Sequence, residues 1–179
     1  GHPYLLNSWV EFECLVERLM FSQSISSLKD LWWDIRPNIE YGTIEIRIAD
    51  CPPTIKEVEA LVALIHSLSV FIDAELTAGR KFSPPPEWIL RENKWRASRH
   101  GVQCDLITDL KGTSVPFQDV WEEIRGSVGE IWKSYGYGPF IDFLETVISR
   151  GPSYFRQRMH YKNGFDAIIR HLVRENEND

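Results

Sequence analysis

The feature that most constrains this chain is a strictly alternating segment, TIEIRI at residues 43–48. Such alternation is typical of a β-strand with one buried face, because successive side chains on a strand point to opposite sides. The segment LWWDIR at residues 31–36 precedes it, and Pro37, Asn38 and Gly42 mark a loop between the two. We therefore predict an antiparallel hairpin over residues 31–50.

The same period of two predicts which side chains share a face of this hairpin. An apolar side, which we expect to face helices, carries Ile44, Ile46 and Ile48. The other side carries two carboxylates and two guanidiniums, from Asp34, Arg36, Glu45 and Arg47. One explanation is a solvated face with cross-strand ion pairs. The other is a site where carboxylates hold Mg²⁺ and arginines hold phosphate.

The rest of the chain is predicted to be mainly helical. Residues 54–78 are apolar nearly all round in their middle part, which favours a central buried helix. One short strand is predicted within residues 102–110, and Gly101 is predicted to end the helix before it. The other helices are predicted to begin near Ser8 and to cover residues 87–99, 117–134, 139–149, 153–161 and 165–175.

These elements predict an α+β fold, an antiparallel hairpin or partial sheet backed by a bundle of helices. A sheet of two or three strands with one polar face is a poor closed core. The sequence does not supply the neighbouring strands that such a sheet needs. We therefore expect the hairpin to be part of a larger sheet.

Charge and cysteine usage limit the class of protein. A net charge of −6 argues against nucleic acid as a partner, since phosphate backbones bind basic surfaces. The 3 cysteines lie far apart without a CxxC spacing, which favours reduced thiols and a cytoplasmic protein. We judge no apolar run long enough to cross a bilayer, so no membrane is expected. His66, on the apolar helix, is predicted to be a core histidine with a hydrogen-bond partner instead of a metal ligand.

Three blocks resemble glutamate–cysteine ligase type 2. The first is LWWDIRP at residues 31–37 with GTIEIRIAD at 42–50, before a proline and a long apolar helix. The second is RENKWRASRHG at 91–101, and the less specific third is the arginine-rich stretch at 150–158. The resemblance covers essentially the whole chain. It implies a carboxylate–amine ligase with the catalytic fold of glutamine synthetase, in which a curved antiparallel sheet cups ATP and metal.

The resemblance also implies roles for individual residues. Glu45 would be a Mg²⁺ ligand, and Arg47 would neutralise the transferred phosphate or the substrate carboxylate. Arg36 would be a second anion clamp. Asn93 and Arg96 would lie near the nucleotide or substrate. The implied reaction is ATP-dependent amide formation with Mg²⁺, between glutamate and cysteine or another amine, as in glutathione biosynthesis.

The chain also departs from this family's pattern. The N-terminal half of the family carries a glutamate-rich strand and a His-x-His segment with further metal ligands, and neither occurs here. We expect residues 1–179 to be one C-terminal portion of a ligase catalytic domain, inactive without the N-terminal half or a homo-oligomer. Its parts would be the hairpin 31–50, the central helix 54–78 and a helical part at 87–176. The alternative is a non-catalytic α+β module that binds a partner through its open sheet edge.

Overall fold

The computed structural model describes residues 1–178, and these residues form an α+β fold, as predicted. Two compact units divide the chain, Gly1–Cys51 and Pro52–Asp179, called the first and second unit below. The prediction that the chain is one portion of a catalytic domain stays a prediction. The helices and strands of residues 1–178 are α1 (Trp9–Phe21), β1 (Ile35–Asn38), β2 (Thr43–Ile46), α2 (Ile55–Thr77), α3 (Glu87–His100), β3 (Asp105–Ile107), β4 (Ser114–Pro116), α4 (Phe117–Tyr135), α5 (Gly138–Arg150), α6 (Ser153–Tyr161) and α7 (Phe165–Glu177).

The first unit consists of α1 and the predicted hairpin. The Ser8 hydroxyl accepts a hydrogen bond from the Glu11 backbone N–H at 3.2 Å, which caps α1 where the sequence predicts its start. Strands β1 and β2 pair antiparallel, with Arg36 opposite Glu45. The first strand begins at Ile35, later than predicted, and residues 31–34 connect it to a 3₁₀ turn at Leu28–Asp30.

The two faces of the hairpin are covered in the opposite way from the prediction. Ile44 is 70% exposed and Ile48 55% exposed, whereas Asp34 and Arg36 are each 9% exposed. The expectation that the isoleucines pack against helices is therefore wrong for Ile44 and Ile48. On the polar face Arg36 is covered because backbone carbonyls surround its guanidinium, as described below, whereas Arg47 stays exposed.

The second unit is built around α2, which the sequence predicts to within one residue at each end. The Thr54 hydroxyl caps this helix by accepting from the Glu57 backbone N–H at 3.2 Å. Helices α2, α4 and α5 pack around a core of small and aromatic residues. The buried members of this core are Ala63, Trp121, Val128, Trp132 and Ile141.

Helix α2 is buried on one face only. Ala60, Ala63 and Ser67 face the core, whereas Val62 and Ile72 are exposed. The prediction of a helix buried all round is therefore wrong. With 23 residues and an apolar window that is 17% buried, α2 is long and apolar enough to cross a membrane. This corrects the expectation that no apolar run reaches that length, although the criterion is length and composition alone.

A second hairpin, β3–β4, follows α3 and pairs Leu106 with Val115. The sequence predicts one strand here, and the structure adds β4. Three hydrogen bonds to the Asp109 carboxylate from Lys111 and Thr113 hold the turn between the strands. Gly101 ends α3 as predicted. Its φ is +59°, and a Cβ at this position would lie 2.0 Å from the Tyr154 hydroxyl oxygen, so glycine fits where a larger residue would clash.

Helices α6 and α7 pair through a polar cluster. The rings of His160 and His171 stack with centroids 4.0 Å apart. Arg156 on α6 forms ion pairs with Glu57 at the start of α2 and with Glu175 on α7. The arginine therefore links three helices of the second unit.

Protonation of His171 is expected to weaken this cluster. Burial, the largest cause, lowers the pKa of His171 below the usual 6.5, although Glu175 lies 3.3 Å away. The other charged groups around the ring are Arg156, Arg174 and His160. The unfolded chain then binds the proton at a higher pH than the folded chain. Stability is therefore lost as the pH falls from about 6.5 toward the folded-state pKa.

The variant His171→Gln tests this expectation. Its melting temperature should depend less on pH than that of the wild type, measured by circular dichroism from roughly pH 7.5 to 5. The exposed His100→Gln is the matched control and should follow the wild type. Parallel curves for His171→Gln and the wild type over this range would contradict the assignment.

Candidate functional site

On the polar face of the first hairpin three side chains surround the carboxylate of Glu45, and we call Arg36, Asn38, Glu45 and Arg47 the hairpin cluster. The Glu45 Oε2 accepts from Arg36 Nε at 2.9 Å and from Arg47 Nη1 at 3.3 Å. Its Oε1 accepts from Asn38 Nδ2 at 2.9 Å. Both carboxylate oxygens thus already accept hydrogen bonds within the first unit.

Arg36 is held more firmly than the other members. Its Nη1 donates to the backbone carbonyls of Leu28, Lys29 and Leu31 at 3.3, 2.7 and 3.2 Å. With Nε on Glu45, this leaves Nη2 as its remaining donor group. Arg36 therefore fixes the 3₁₀ turn and Glu45 relative to the strand.

The charge of Glu45 is stabilised by its neighbours. The hydrogen bond from Arg36, followed by those from Asn38 and Arg47, holds the pKa of Glu45 below its usual value. The carboxylate is therefore an anion at neutral pH, and it balances one of the two guanidiniums beside it. The second guanidinium gives the cluster a surplus of positive charge.

Arg47 is the member best placed to meet a ligand. Its side chain is 40% exposed, against 10% for Arg36. Its backbone N–H donates to the Asp34 carbonyl at 2.7 Å, which fixes the strand. Among residues 1–178 its guanidinium donates a hydrogen bond to Glu45 alone. The guanidinium of Arg47 is thus oriented by Glu45, and its other N–H donors are available to a ligand.

A small cavity of about 240 Å³ lies beside the cluster, lined by Arg36, Asn38, Glu45, Lys29 and Glu40 among others. Pockets for drug-sized ligands usually measure ~300–1,000 Å³. The cavity has room for a carboxylate or a phosphoryl group and not for a whole nucleotide.

Asn93 and Arg96 lie in the second unit, where they hold the β3–β4 hairpin against α3. The Asn93 side-chain amide donates to the Ile107 carbonyl at 2.9 Å and accepts from the Ile107 N–H at 2.8 Å. Arg96 donates from Nε to Glu92, and from Nη1 to the Asp105 carbonyl and the Ser114 hydroxyl. The structure thus gives both residues a structural role, and their predicted contact with nucleotide or substrate stays a prediction.

The model of glutamate–cysteine ligase family 2 (GCS2) matches residues 1–175. The chain belongs to this family. The family resemblance found in the sequence blocks is thereby confirmed, and with it membership of a ligase-type family.

Relatives of this GCS2 chain agree with that assignment. A Bdellovibrio bacteriovorus protein, provisionally named glutamate–cysteine ligase 2, is 39% identical over 173 residues, covering 97% of this chain and 45% of that protein. A Thermobifida fusca protein of the same name is 35% identical over 177 residues, covering 98% and 44%. The chain thus spans less than half the length of these relatives.

The GCS2 residues described here do not by themselves fit a Mg²⁺ site. Magnesium prefers six oxygen ligands in octahedral geometry, several of them waters or phosphate oxygens. Glu45 is the single carboxylate of the hairpin cluster, and both its oxygens accept hydrogen bonds. Among residues 1–178, no group of three or more His, Cys, Asp or Glu side chains is arranged to hold a metal ion.

Two further predictions about side chains can be compared with the GCS2 structure. His66 Nδ1 lies 3.1 Å from the Tyr137 hydroxyl, which matches the predicted core histidine with a partner. The sequence predicts Asn38 to be a loop residue, whereas the structure places it at the end of β1 with its amide on Glu45. The period of two could have found it, because Asn38 lies two residues after Arg36 and so shares its face.

Proposed function

We propose that this chain is the C-terminal part of an ATP-dependent carboxylate–amine ligase that joins the γ-carboxylate of glutamate to cysteine or another amine. The observation that carries the proposal is the Arg36–Glu45–Arg47 arrangement in a chain of the GCS2 family. It supplies an oriented, partly exposed guanidinium on Arg47. A separate small cavity is lined by other members of the cluster, Arg36, Asn38 and Glu45.

The proposed reaction has two steps. A carboxylate oxygen of glutamate attacks the γ-phosphorus of ATP, the bond to the bridging oxygen breaks, and ADP leaves. The amine then attacks the carbonyl carbon of the acyl phosphate, loses a proton and expels inorganic phosphate. Both steps concentrate negative charge on phosphoryl or carboxylate oxygens, so positioned cations lower their barriers.

The residues of the hairpin cluster have different roles in this reaction. Arg47 contacts the substrate carboxylate or the transferred phosphoryl group, because its fork matches either anion. Glu45 orients Arg47, and Arg36 acts as a positioning residue that holds Glu45. The second anion contact proposed for Arg36 is limited to its Nη2.

We propose ATP as a substrate and Mg²⁺ as its metal, with ligands for the metal from outside residues 1–178. When bound, Mg²⁺ would neutralise the phosphate oxygens. The isolated chain is then expected to show no turnover, and the remainder of the protein supplies most of the nucleotide and metal site. The cytoplasmic location also stays a prediction.

The variant Glu45→Ala in the intact ligase tests the proposal. Without its orienting carboxylate, Arg47 loses its position, and turnover should fall by ~100-fold or more, as when one preorganised group is removed from an active site. The measurement is ADP release that depends on both glutamate and an amine. Glu17→Ala is the matched control, since Glu17 is exposed on α1 and forms no ion pair within residues 1–178. Turnover unchanged by Glu45→Ala would overturn the proposal.

A second candidate function is a non-catalytic module that binds a protein partner. The observation favouring it is the exposed apolar face of the first hairpin, with Ile44 and Ile48 uncovered. This face continues into a groove of about 380 Å³ lined by Trp9, Phe12 and Trp33, among others. The measurement is ATP binding by the purified chain together with the N-terminal half of the ligase. No binding would favour this function over the ligase.

A further inference from the structure

Helix α7 carries an apolar stripe that the described part of the chain leaves uncovered. Phe165, Ile169 and Val173 are 72%, 59% and 49% exposed. Their spacing of four residues places them one above another on the helix. Exposed large side chains in one contiguous row mark an interaction surface more often than isolated ones do.

A different face of α7 anchors the helix to the second unit. His171 stacks on His160, and Glu175 binds Arg156. The Asn176 amide donates to the Pro53 carbonyl at 3.0 Å. The stripe is therefore not the face that holds α7 in place, and it is free for another contact.

A row of charges runs beside the stripe, one residue further along the chain. It consists of Asp166, Arg170 and Arg174, again spaced by four. Within residues 1–178 the side chains of these three residues form no ion pair or hydrogen bond, in contrast to Arg156, Glu175 and His171 on the anchoring face. The row is negative at its N-terminal end and positive toward its C-terminal end.

We propose that α7 pairs with α7 of a second copy of this chain, antiparallel, about a two-fold axis at Ile169. In such a pair Phe165 lies opposite Val173 of the second copy, and the two Ile169 side chains meet. With a rise of about 1.5 Å per residue, Asp166 lies ~3 Å along the axis from both Arg170 and Arg174 of the second copy. Each aspartate then lies between two arginines of the other copy.

The charge row selects this orientation and this occupant. In a parallel pair about a two-fold axis, the two charge rows would lie on opposite sides of the interface, so Asp166 would meet neither Arg170 nor Arg174 of the second copy. The antiparallel pair makes the surface complementary to itself, as a two-fold interface requires. One helix pair is a small interface, so the dimer is of the weak, concentration-dependent class. The inference does not depend on the proposed ligase chemistry.

Two charge-reversal variants of the full chain test the pairing. Asp166→Lys places lysine against arginine in a homodimer, and Arg170→Glu/Arg174→Glu places glutamate against aspartate. Each variant alone should be monomeric by sedimentation velocity. An equimolar mixture should form a heterodimer, because Lys in one copy meets Glu in the other and the native Asp–Arg contacts remain. Higher salt should weaken the native and the mixed dimer alike.

The control is Asp119→Lys, a reversal in the first turn of α4 at an exposed residue that has no ion pair among the described residues. It should leave the wild-type dimer unchanged, and far-UV circular dichroism should show equal helicity in all variants. A wild-type chain that stays monomeric up to its solubility limit overturns the proposal. So does association that ignores the α7 charges, since it would then come from another surface such as the exposed hairpin face.

Discussion

Replacing Arg36 with methionine is expected to unfold the first unit while the second unit stays folded. Methionine keeps much of the length of the side chain and removes its donors. Glu45 then loses its closest cation, and the carbonyls of Leu28, Lys29 and Leu31 lose a shared donor. Arg36 is 9% exposed, so its removal leaves three backbone carbonyls without this donor as well as weakening the hold on Glu45. A unit of about 50 residues has little stability to lose.

Hydrogen exchange of the backbone amides is the measurement for Arg36→Met. Amides of β1 and β2 should exchange at near-unfolded rates, while those of α2 and α4 keep their protection. Arg47→Met is the matched control, because its side chain is 40% exposed and bonded to Glu45 alone. It should keep the protection of the hairpin and lose ligase activity in the intact protein. Native protection in Arg36→Met would refute the positioning role of Arg36.

The sequence predicts the long helices of this chain well. Helix α2 and helices α6 and α7 begin and end within about two residues of their predicted bounds, because capping residues and apolar periodicity act locally. The sequence does not predict strand β4, since three residues are too few to show a period. Its position is set by the turn at Asp109, whose hydrogen bonds form only once the chain reverses there.

The candidate site was predictable in part. Alternation placed Arg36, Glu45 and Arg47 on one face, and the register confirms that Arg36 lies opposite Glu45. Alternation cannot say which face of a hairpin is covered, because that depends on what packs against it. The carbonyls that bind Arg36 come from a 3₁₀ turn and its neighbours, which carry no periodic signal. The burial of Arg36 and the exposure of Ile44 were therefore outside the reach of the pattern.

The structural bonds of Asn93 and Arg96 were hidden for a similar reason. A sequence block shows which residues occur together, and it does not separate ligand contacts from contacts within the fold. Asn93 completes the edge of β3 by pairing with both backbone groups of Ile107. An edge strand left without such a partner would expose its donors and acceptors. This need alone is sufficient to explain an asparagine at that position.

The second large effect is expected from Arg156→Met in the second unit. Arg156 lies between Glu57 and Glu175, and the three side chains are 16%, 12% and 20% exposed. Its Nη1 also donates to the Gly151 carbonyl at 2.9 Å. Methionine in its place leaves two partly buried carboxylates close together without a cation. The free energy of unfolding of the second unit should fall by roughly 3–5 kcal/mol.

Urea unfolding followed by tryptophan fluorescence measures this loss, since Trp121 and Trp132 report on the core of the second unit. Arg158→Met is the matched control on the same helix. Its guanidinium lies over the Tyr154 ring at 5.3 Å from the centroid and is exposed, so the cost should be ~1 kcal/mol or less. If Arg156→Met lowers the free energy of unfolding no more than the control does, Arg156 does not hold the three helices together.

Two causes of the lost stability, uncompensated charge and lost side-chain contacts, can be separated by also neutralising the two carboxylates. If uncompensated charge dominates, Glu57→Gln and Glu175→Gln added to Arg156→Met should recover much of the lost stability, because the amides need no cation. If the lost side-chain contacts of Arg156 dominate, the triple variant should be no more stable than Arg156→Met. Since α7 is anchored through Glu175, the first outcome also predicts that the triple variant restores hydrogen-exchange protection to α7, the helix proposed to pair with a second copy.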